Sequence, residues 1–231
     1  MAVLGILKVV AMNPKKSSVK QKKISLPAEV PVFPLPNAVL FPEAELPLYV
    51  FEPRYRKMLA DCLADKKFMG ISLFKKGWED QSEPIPSHDV IGVGYVRAMV
   101  ENADGTSYMI LKGVGRAKIL RYLQMEPYRI AKIKEIPDRV EDPKELIRLT
   151  LRLRKLFMQK IRWISDHPEM DPQLPKQMIQ PIPLTHWASS LVASNNPYLR
   201  QDLLETTNPN CRMRHLIGIL EEEIHPPGSQ N

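Results

Sequence analysis

Cysteine is scarce. Cys62 and Cys211 are the only two among 231 residues, too few for the disulfide framework that small secreted domains depend on. Both fall in apolar helical patterns, so each is expected to behave as a small buried hydrophobe. Glycine is low as well, at 10 residues against 22 prolines. Proline at about twice its usual share, with no matching rise in glycine, excludes a low-complexity chain. The prolines must punctuate a fold. Long uncharged apolar runs are missing too. The apolar opening Met1–Met12 is broken by Lys8 and has no basic start or small-residue cleavage site, so it does not read as a signal peptide. No other run approaches the length that spans a bilayer. No membrane partner is expected, and the default location is cytoplasmic.

Catalytic and metal-binding motifs are also missing. There is no paired CxxC and no HExxH, and the histidines (His88, His167, His186, His215, His225) are scattered. His186, beside Trp187 in a predicted helix, reads as a hydrogen-bonded structural histidine rather than a ligand. The GxxxxGK[ST] loop that cradles nucleotide phosphates is absent, as is the GxSxG nucleophile turn. Gly92-Val93-Gly94 and Gly113-Val114-Gly115 resemble phosphate loops only faintly. Neither opens a helix, where amides and dipole would converge on an anion, so a strand bulge and a hairpin turn are expected instead. The expectation is no enzyme, with no catalytic, cofactor-binding or metal-binding residues and no cofactor.

Acidic residues are absent from the first 24 positions, which hold Lys8, Lys15, Lys16, Lys20, Lys22 and Lys23. The formal charge of +7 therefore belongs almost wholly to this stretch, because the rest carries 27 basic against 26 acidic residues. Residues 1–25 read as a flexible basic leader ahead of a nearly neutral body.

What is present is two differently patterned halves. From Pro27 to Pro53, prolines alternate with aliphatic and aromatic residues, which suits short edge strands and corners rather than a central strand. Glu52-Pro53 opens a helix with Tyr55, Met58, Leu59, Cys62 and Leu63 on one face. Strands follow at Phe68–Phe74, Val90–Val100, Ser107–Lys112, Arg116–Leu123 and Tyr128–Ile136, with turns predicted at Asn102–Gly105 and at Gly113-Val114-Gly115. Trp78–Asp89 reads as an exposed loop. Consecutive strands on short turns predict an antiparallel meander, curled into a barrel with the proline-rich segment.

Beyond Pro137 the pattern turns helical. Asp142-Pro143 with Glu145 is a start signal for a helix whose apolar face runs through Leu146, Leu149, Leu153, Leu156, Phe157, Ile161 and Ile164. Asn196-Pro197 and Asn208-Pro209 repeat the device before Tyr198–Glu205 and Asn210–Ile224. A further helix is predicted over Thr185–Ala193, after a long connection marked by Pro168, Pro172, Pro175, Pro181 and Pro183. The fold class is α+β: a β-barrel over 26–138, an α-helical bundle over 141–225, and a disordered tail over 226–231. Four residues are candidates to face a ligand: Tyr49, Glu52, Arg54 and Tyr55. The ordinary alternatives are an ion pair between Glu52 and Arg54 that anchors the helix start, and core packing for the tyrosines.

Several motifs in order resemble the Lon protease amino-terminal, substrate-binding domain family in its free-standing form. They are Pro31–Pro42 (PVFPLPNAVLFP), Leu46–Tyr55 (LPLYVFEPRY), Ile91–Gly94 (IGVG), Asp104-Gly105-Thr106, Lys112–Ala117 (KGVGRA), Glu126-Pro127-Tyr128, Leu203–Thr206 and Glu221–Ile224. The resemblance covers about residues 29–225. Met125 falls where only the following Glu126-Pro127-Tyr128 matches. The resemblance implies that the barrel is PUA-like. It also implies a non-catalytic polypeptide-recognition role, as an adaptor or chaperone-like accessory in protein quality control. The implied partners are unfolded or extended polypeptides, with a protease or chaperone beside them. Glu52, Pro53 and Arg54 match the strongest motif, which transfers as a fold marker. RNA binding is the alternative, since PUA-like folds also occur in RNA-associated proteins, but nucleic acid is not the expected partner.

Overall fold

A computed structural model describes residues 24–64, 68–78, 85–164, 179–192 and 196–224. Nearly all of the basic leader, the 226–231 tail, residues 79–84 of the expected loop, Pro168, Pro172, Pro175 and Ala193 lie outside the described residues. So do the side chains of Ile161 and Ile164.

The described chain is a mixed sheet with helices, an α+β fold. Its strands are β1 (Glu29–Leu35), β2 (Glu45–Val50), β3 (Phe68–Leu73), β4 (Val90–Glu101), β5 (Ser107–Gln124) and β6 (Arg129–Glu135). Its helices are α1 (Pro53–Ala64), α2 (Pro143–Ile164), α3 (Pro181–Leu191), α4 (Pro197–Glu205) and α5 (Pro209–Ile224). The sheet order is β2-β5-β4-β3-β1-β6, and β6 also pairs with β5.

The meander from β3 through β6 is antiparallel, whereas β1 lies parallel to β3. Prolines fit into β1 because the strand changes neighbour halfway. Glu29–Val32 pairs with β6 and Val32–Leu35 with β3, so each half keeps one unpaired edge where a missing N–H costs little. Among the described residues β2 pairs with β5 alone, and it carries Pro47.

Gly113-Val114-Gly115 is not a turn. β5 runs through it unbroken, with a register shift opposite Val93 and Gly94. The glycines make room for a crossing backbone: a Cβ on Gly113 would lie 2.0 Å from the Phe41 carbonyl oxygen, and one on Gly92 1.8 Å from that of Leu40. The crossing segment is tied down where the Gly113 amide donates to the Ala44 carbonyl at 2.9 Å and the Glu43 amide to the Gly113 carbonyl at 3.0 Å. A close approach by residues some seventy positions away has no local signature. The turn at Asn102–Gly105 does form, with Gly105 at φ 78°.

The capping signals act as read. Asp142 Oδ1 accepts from the amides of Lys144 and Glu145 at 2.9 Å, and Asn196 Oδ1 from the Leu199 amide at 3.1 Å. Asn208 Oδ1 accepts from the Asn210 amide at 2.9 Å. The helix expected at Thr185 begins earlier, at Pro181. Pro181 and Pro183 occupy first-turn positions whose N–H groups have no intrahelical acceptor, so they open the helix rather than precede it. Cys62 is buried as expected, but Cys211 is exposed. Its position on α5 faces away from the stripe of Met213, Leu216, Ile217 and Leu220.

Among the described residues, three apolar clusters form the core. Two lie within the strands and α1. The third gathers α2 to α5 and takes in Val39, Phe41, Ala44 and Leu73 from the strand half. Among the described residues no helix is long and apolar enough to cross a membrane.

Candidate functional site

Beyond the helix-packed part of the sheet, β2, the start of β5 and the end of β4 form a three-stranded arm. Its register fixes which side chains share a face. Tyr49 stands opposite Tyr108, and Tyr108 opposite Val100; the next outward row is Pro47, Ile110 and Ala98. The alternate row, Leu48, Met109 and Met99, turns inward to the core. Tyr49, Phe51, Val100 and Tyr108 are 44%, 58%, 66% and 59% exposed. The Tyr49 ring lies 4.7 Å from that of Tyr108 and 5.8 Å from that of Phe51. Tyr49, Val100 and Tyr108 wall an open concavity of about 390 Å³. The neighbouring cations are already engaged. Arg97 pairs with Glu45, and Lys112 donates to the Glu43 carbonyl while its Nζ lies 3.9 Å from the Glu43 carboxylate. The chemistry left on this face is apolar and aromatic, and among the described residues the outer edge of β2 has no strand beside it.

A second constellation is buried where strands and helices meet. Arg116 of β5 donates Nη1 to the carbonyls of Leu204 and Thr206 at 2.6 and 2.7 Å, Nε to that of Ile136 at 3.2 Å, and Nη2 to Asp138 Oδ1 at 2.8 Å. Arg212 of α5 reaches the same carboxylate oxygen, and its Nη2 donates to the Thr206 carbonyl at 2.8 Å. His186 of α3 completes it: Nε2 is 2.9 Å from Asp138 Oδ2, and Nδ1 is 3.1 Å from Arg212 Nη1. A neutral imidazole protonated at Nε2 fits both neighbours, donating to the carboxylate and accepting from the guanidinium. The carbonyls of Leu204 and Thr206 are orphans at the C-terminus of α4, the negative end of its dipole.

The electrostatics agree with that assignment. Burial pushes the Asp138 carboxyl up, but the His186 hydrogen bond and the charges of Arg212 and Arg116 outweigh it and hold the group well below the usual carboxylate range. Burial pushes His186 down to about 4 against the opposing pull of Asp138, so the ring is neutral at neutral pH. Burial and the nearby Arg212 charge lower Arg116 to about 10, which leaves it protonated. The Thr185 hydroxyl, which accepts from Arg212 Nη1 at 3.2 Å, donates to the Ile182 carbonyl at 2.8 Å. The cluster is a clasp that joins β5, the segment after β6, α3, α4 and α5, and His186 is the hydrogen-bonded histidine expected from the sequence. Among the described residues no group of His, Cys, Asp or Glu is placed to hold a metal ion.

The four candidate residues from the sequence fall at one end of the arm but differ in orientation. Tyr49 is on the exposed face. Glu52 and Arg54 pair with each other, Arg54 Nε and Nη2 each 2.9 Å from Glu52 Oε2. The Glu52 carbonyl accepts from the Tyr55 and Arg56 amides, which starts α1. Tyr55 points inward at 4% exposure, its ring 4.2 Å from that of Phe33, and the Arg54 guanidinium lies 4.5 Å above it. Val100 and Tyr108 were not singled out from the sequence, because they meet Tyr49 only through the register of three strands, whereas Phe51 follows Tyr49 by two residues. Asp138, Arg116 and Arg212 were missed because isolated charges read as surface. The available signal was Arg212 falling four residues before Leu216, on the apolar stripe of its helix.

The model of the ATP-dependent protease La (LON) substrate-binding domain matches residues 29–222. The Lon protease of Anaeromyxobacter dehalogenans is 26% identical over 204 residues, covering 87% of this chain and 24% of its own length. That of Dictyoglomus thermophilum is 26% identical over 211 residues, covering 86% and 25%. The chain thus spans about a quarter of the relatives it matches. Among solved structures, the N-terminal domain of Mycobacterium avium complex Lon protease aligns with a TM-score of 0.66 at 17% identity, over 84% of this chain and 98% of that one. A Lon N-terminal domain protein from Xanthomonas campestris aligns at 0.55 and 20% identity, over 82% and 97%. The family match extends from β1 into α5, across both the arm and the clasp. This chain belongs to the Lon substrate-binding domain family.

Proposed function

We propose that the chain is a non-catalytic polypeptide-recognition module that grips unfolded or extended segments on the apolar face of the β2–β5–β4 arm. The observation that carries this is the contiguous exposure of Tyr49, Phe51, Val100 and Tyr108 beside a strand that, among the described residues, is paired on one side only. An extended segment laid along β2 finds backbone partners at the edge and apolar contacts on the face. Tyr49 touches the ligand, Glu52 and Arg54 form its rim, and Tyr55 supports the rim from below. Arg97 and Lys112 are engaged with Glu45 and Glu43, so a phosphate backbone gains little here. That favours polypeptide over RNA.

In the same reading, 26–138 is a PUA-like barrel and 141–225 a helical domain. The second pairing of β6 onto β5 supports closure of the sheet, and the mixed core around Phe41 and Leu73 holds the two parts at a fixed angle. The module acts in the cytoplasm as an adaptor or chaperone-like accessory that presents its ligand to a protease or chaperone. The test is titration of a fluorescent, permanently unfolded model protein. Binding is expected at a Kd on the order of micromolar, with little loss at raised salt. Tyr49→Ser combined with Tyr108→Ser should weaken it about tenfold or more, the loss typical of central aromatic anchors. Unchanged affinity in that variant, or no binding at all, overturns the assignment.

A further inference from the structure

The outward face of β5 and β6 carries a feature that neither the core nor the arm explains. Register places Lys118 directly opposite Lys134, and Arg121 directly opposite Lys132. All four side chains are exposed, and none makes an ion pair among the described residues. Glu29 of β1 stands across from Lys132 on its other side and is the one acid in that row. Directly opposed like charges destabilise a strand pair, so the arrangement is unfavourable for the sheet by itself.

Two register shifts add to it. They fall between Ile119 and Arg121 and between Tyr122 and Gln124, leaving Leu120 and Leu123 unpaired and exposed. Bulges re-aim side chains, and here both add a leucine to a cationic surface. The aromatic residue of the stretch, Tyr122, is partly buried against the core, with the Arg129 guanidinium 5.9 Å from its ring.

We infer that the β5–β6 face is a second docking surface, and that its occupant is an acidic, leucine-bearing polypeptide segment. Charge complementarity sets the sign of the partner. The choice of polypeptide over single-stranded nucleic acid follows from what stands between the cations. Bases bind by stacking on exposed aromatic rings along a basic groove, and this face offers aliphatic side chains while its tyrosine is turned inward. Carboxylates of the segment sit between the opposed cations and remove their repulsion, and its apolar residues cover Leu120 and Leu123. The surface lies on strands other than β2 and does not depend on the function proposed for the arm.

The experiment uses the full chain and three labelled probes: a peptide of mixed Glu and Leu, the same peptide with Lys in place of Glu, and a single-stranded oligonucleotide. The lysine-rich leader is present in every protein compared, so its attraction for acidic probes cancels. Wild type should bind the Glu/Leu peptide best, with affinity falling steeply as salt rises. Lys118→Gln with Arg121→Gln should reduce that affinity about tenfold, the scale of lost charge contacts, and flatten the salt dependence. Leu120→Ser with Leu123→Ser should reduce it without changing the salt slope. The melting temperature of the charge variant should be equal to or above that of wild type, because repulsion has been removed. Equal affinity in wild type and charge variant, or tighter binding of the oligonucleotide, overturns the assignment. Binding of a neutral unfolded protein to the arm is read in the same samples, so failure of one surface is distinguishable from failure of the other.

Discussion

Around Asp138, charged groups have been taken out of water and turned on one another, and among the described residues only Nε of Arg212 is left without a partner there. On the arm, Tyr49, Phe51, Val100 and Tyr108 do the reverse: apolar surface that could have been buried stays in solvent. The clasp costs desolvation and returns a fixed geometry between strands and helices. The arm forgoes the stabilisation of burial and keeps a surface uncommitted. Substitutions in the first region should therefore register in folding, and substitutions in the second in binding. That division can be tested from its strong end to its weak one.

Asp138→Asn should have the largest effect. It leaves the Arg116 and Arg212 guanidinium groups buried, 2% and 0% exposed, with no counter-charge. Breaking a buried pair in this way costs about 3–5 kcal/mol. Urea unfolding would show the loss as a lower midpoint, and a loss under about 1 kcal/mol would refute the clasp.

Acid should loosen the same region. The folded imidazole of His186 is held near 4 against an ordinary value of 6.5, so the unfolded chain takes up its proton first as pH falls. Stability from this residue is complete above about 6.5 and is lost progressively down to about 4, roughly 3 kcal/mol in total. Asp138, whose carboxyl is depressed in the fold, adds a further loss as pH drops below its unfolded value of 3.8. His186→Asn should remove the part of the pH slope between 6.5 and 4, measured by denaturation at a series of pH values. A slope unchanged in that variant contradicts the assignment of a neutral ring.

Gly92→Ala comes next. Its new methyl would sit 1.8 Å from the Leu40 carbonyl oxygen, and the crossing segment would have to move. Overpacking of this kind costs about 1–3 kcal/mol. Thermal melting checks it, and wild-type stability would mean that Leu40 and Phe41 do not cross where the structure puts them.

These positions also show what could be read in advance. The helix starts at Asp142-Pro143, Asn196-Pro197 and Asn208-Pro209 were legible because a cap and its proline lie within one turn of each other. The division into strands and helices was legible from periodicity. Gly113-Val114-Gly115 was misread as a turn because the reason for its glycines, the Phe41 carbonyl, lies far away in sequence. Pro181 was misread as connection because a proline looks the same before a helix and in its first turn. Of the arm, Tyr49 was legible as an aromatic residue on a proline-bearing edge. Tyr108 and Val100 were not, since only pairing brings them beside it. The clasp was invisible because a charged residue announces no burial until distant elements converge on it.

Tyr108→Ser tests the other side of the comparison. The side chain is 59% exposed on a strand otherwise held by Met109 and Leu111, so stability should stay within about 0.5 kcal/mol of wild type. Binding of an unfolded protein should nonetheless weaken. If stability falls by more than about 2 kcal/mol while binding is kept, the rings belong to the fold and not to a ligand.

Glu52→Gln is the smallest and most discriminating change, because Glu52 stands between the two regions in character. Its carboxylate pairs with Arg54, the two side chains being 39% and 35% exposed, and a pair that open to water contributes less than about 1 kcal/mol. The backbone part of its role survives, since the Glu52 carbonyl still accepts from the Tyr55 and Arg56 amides. Folding should therefore be nearly unchanged. Placed at the rim of the arm, the substitution removes one negative charge beside Arg54 and should shift binding toward acidic ligands, read as a changed preference between Glu-rich and Lys-rich unfolded peptides. If neither stability nor preference moves, Glu52 and Arg54 serve only to start α1, and the rim of the site must be drawn at Phe51.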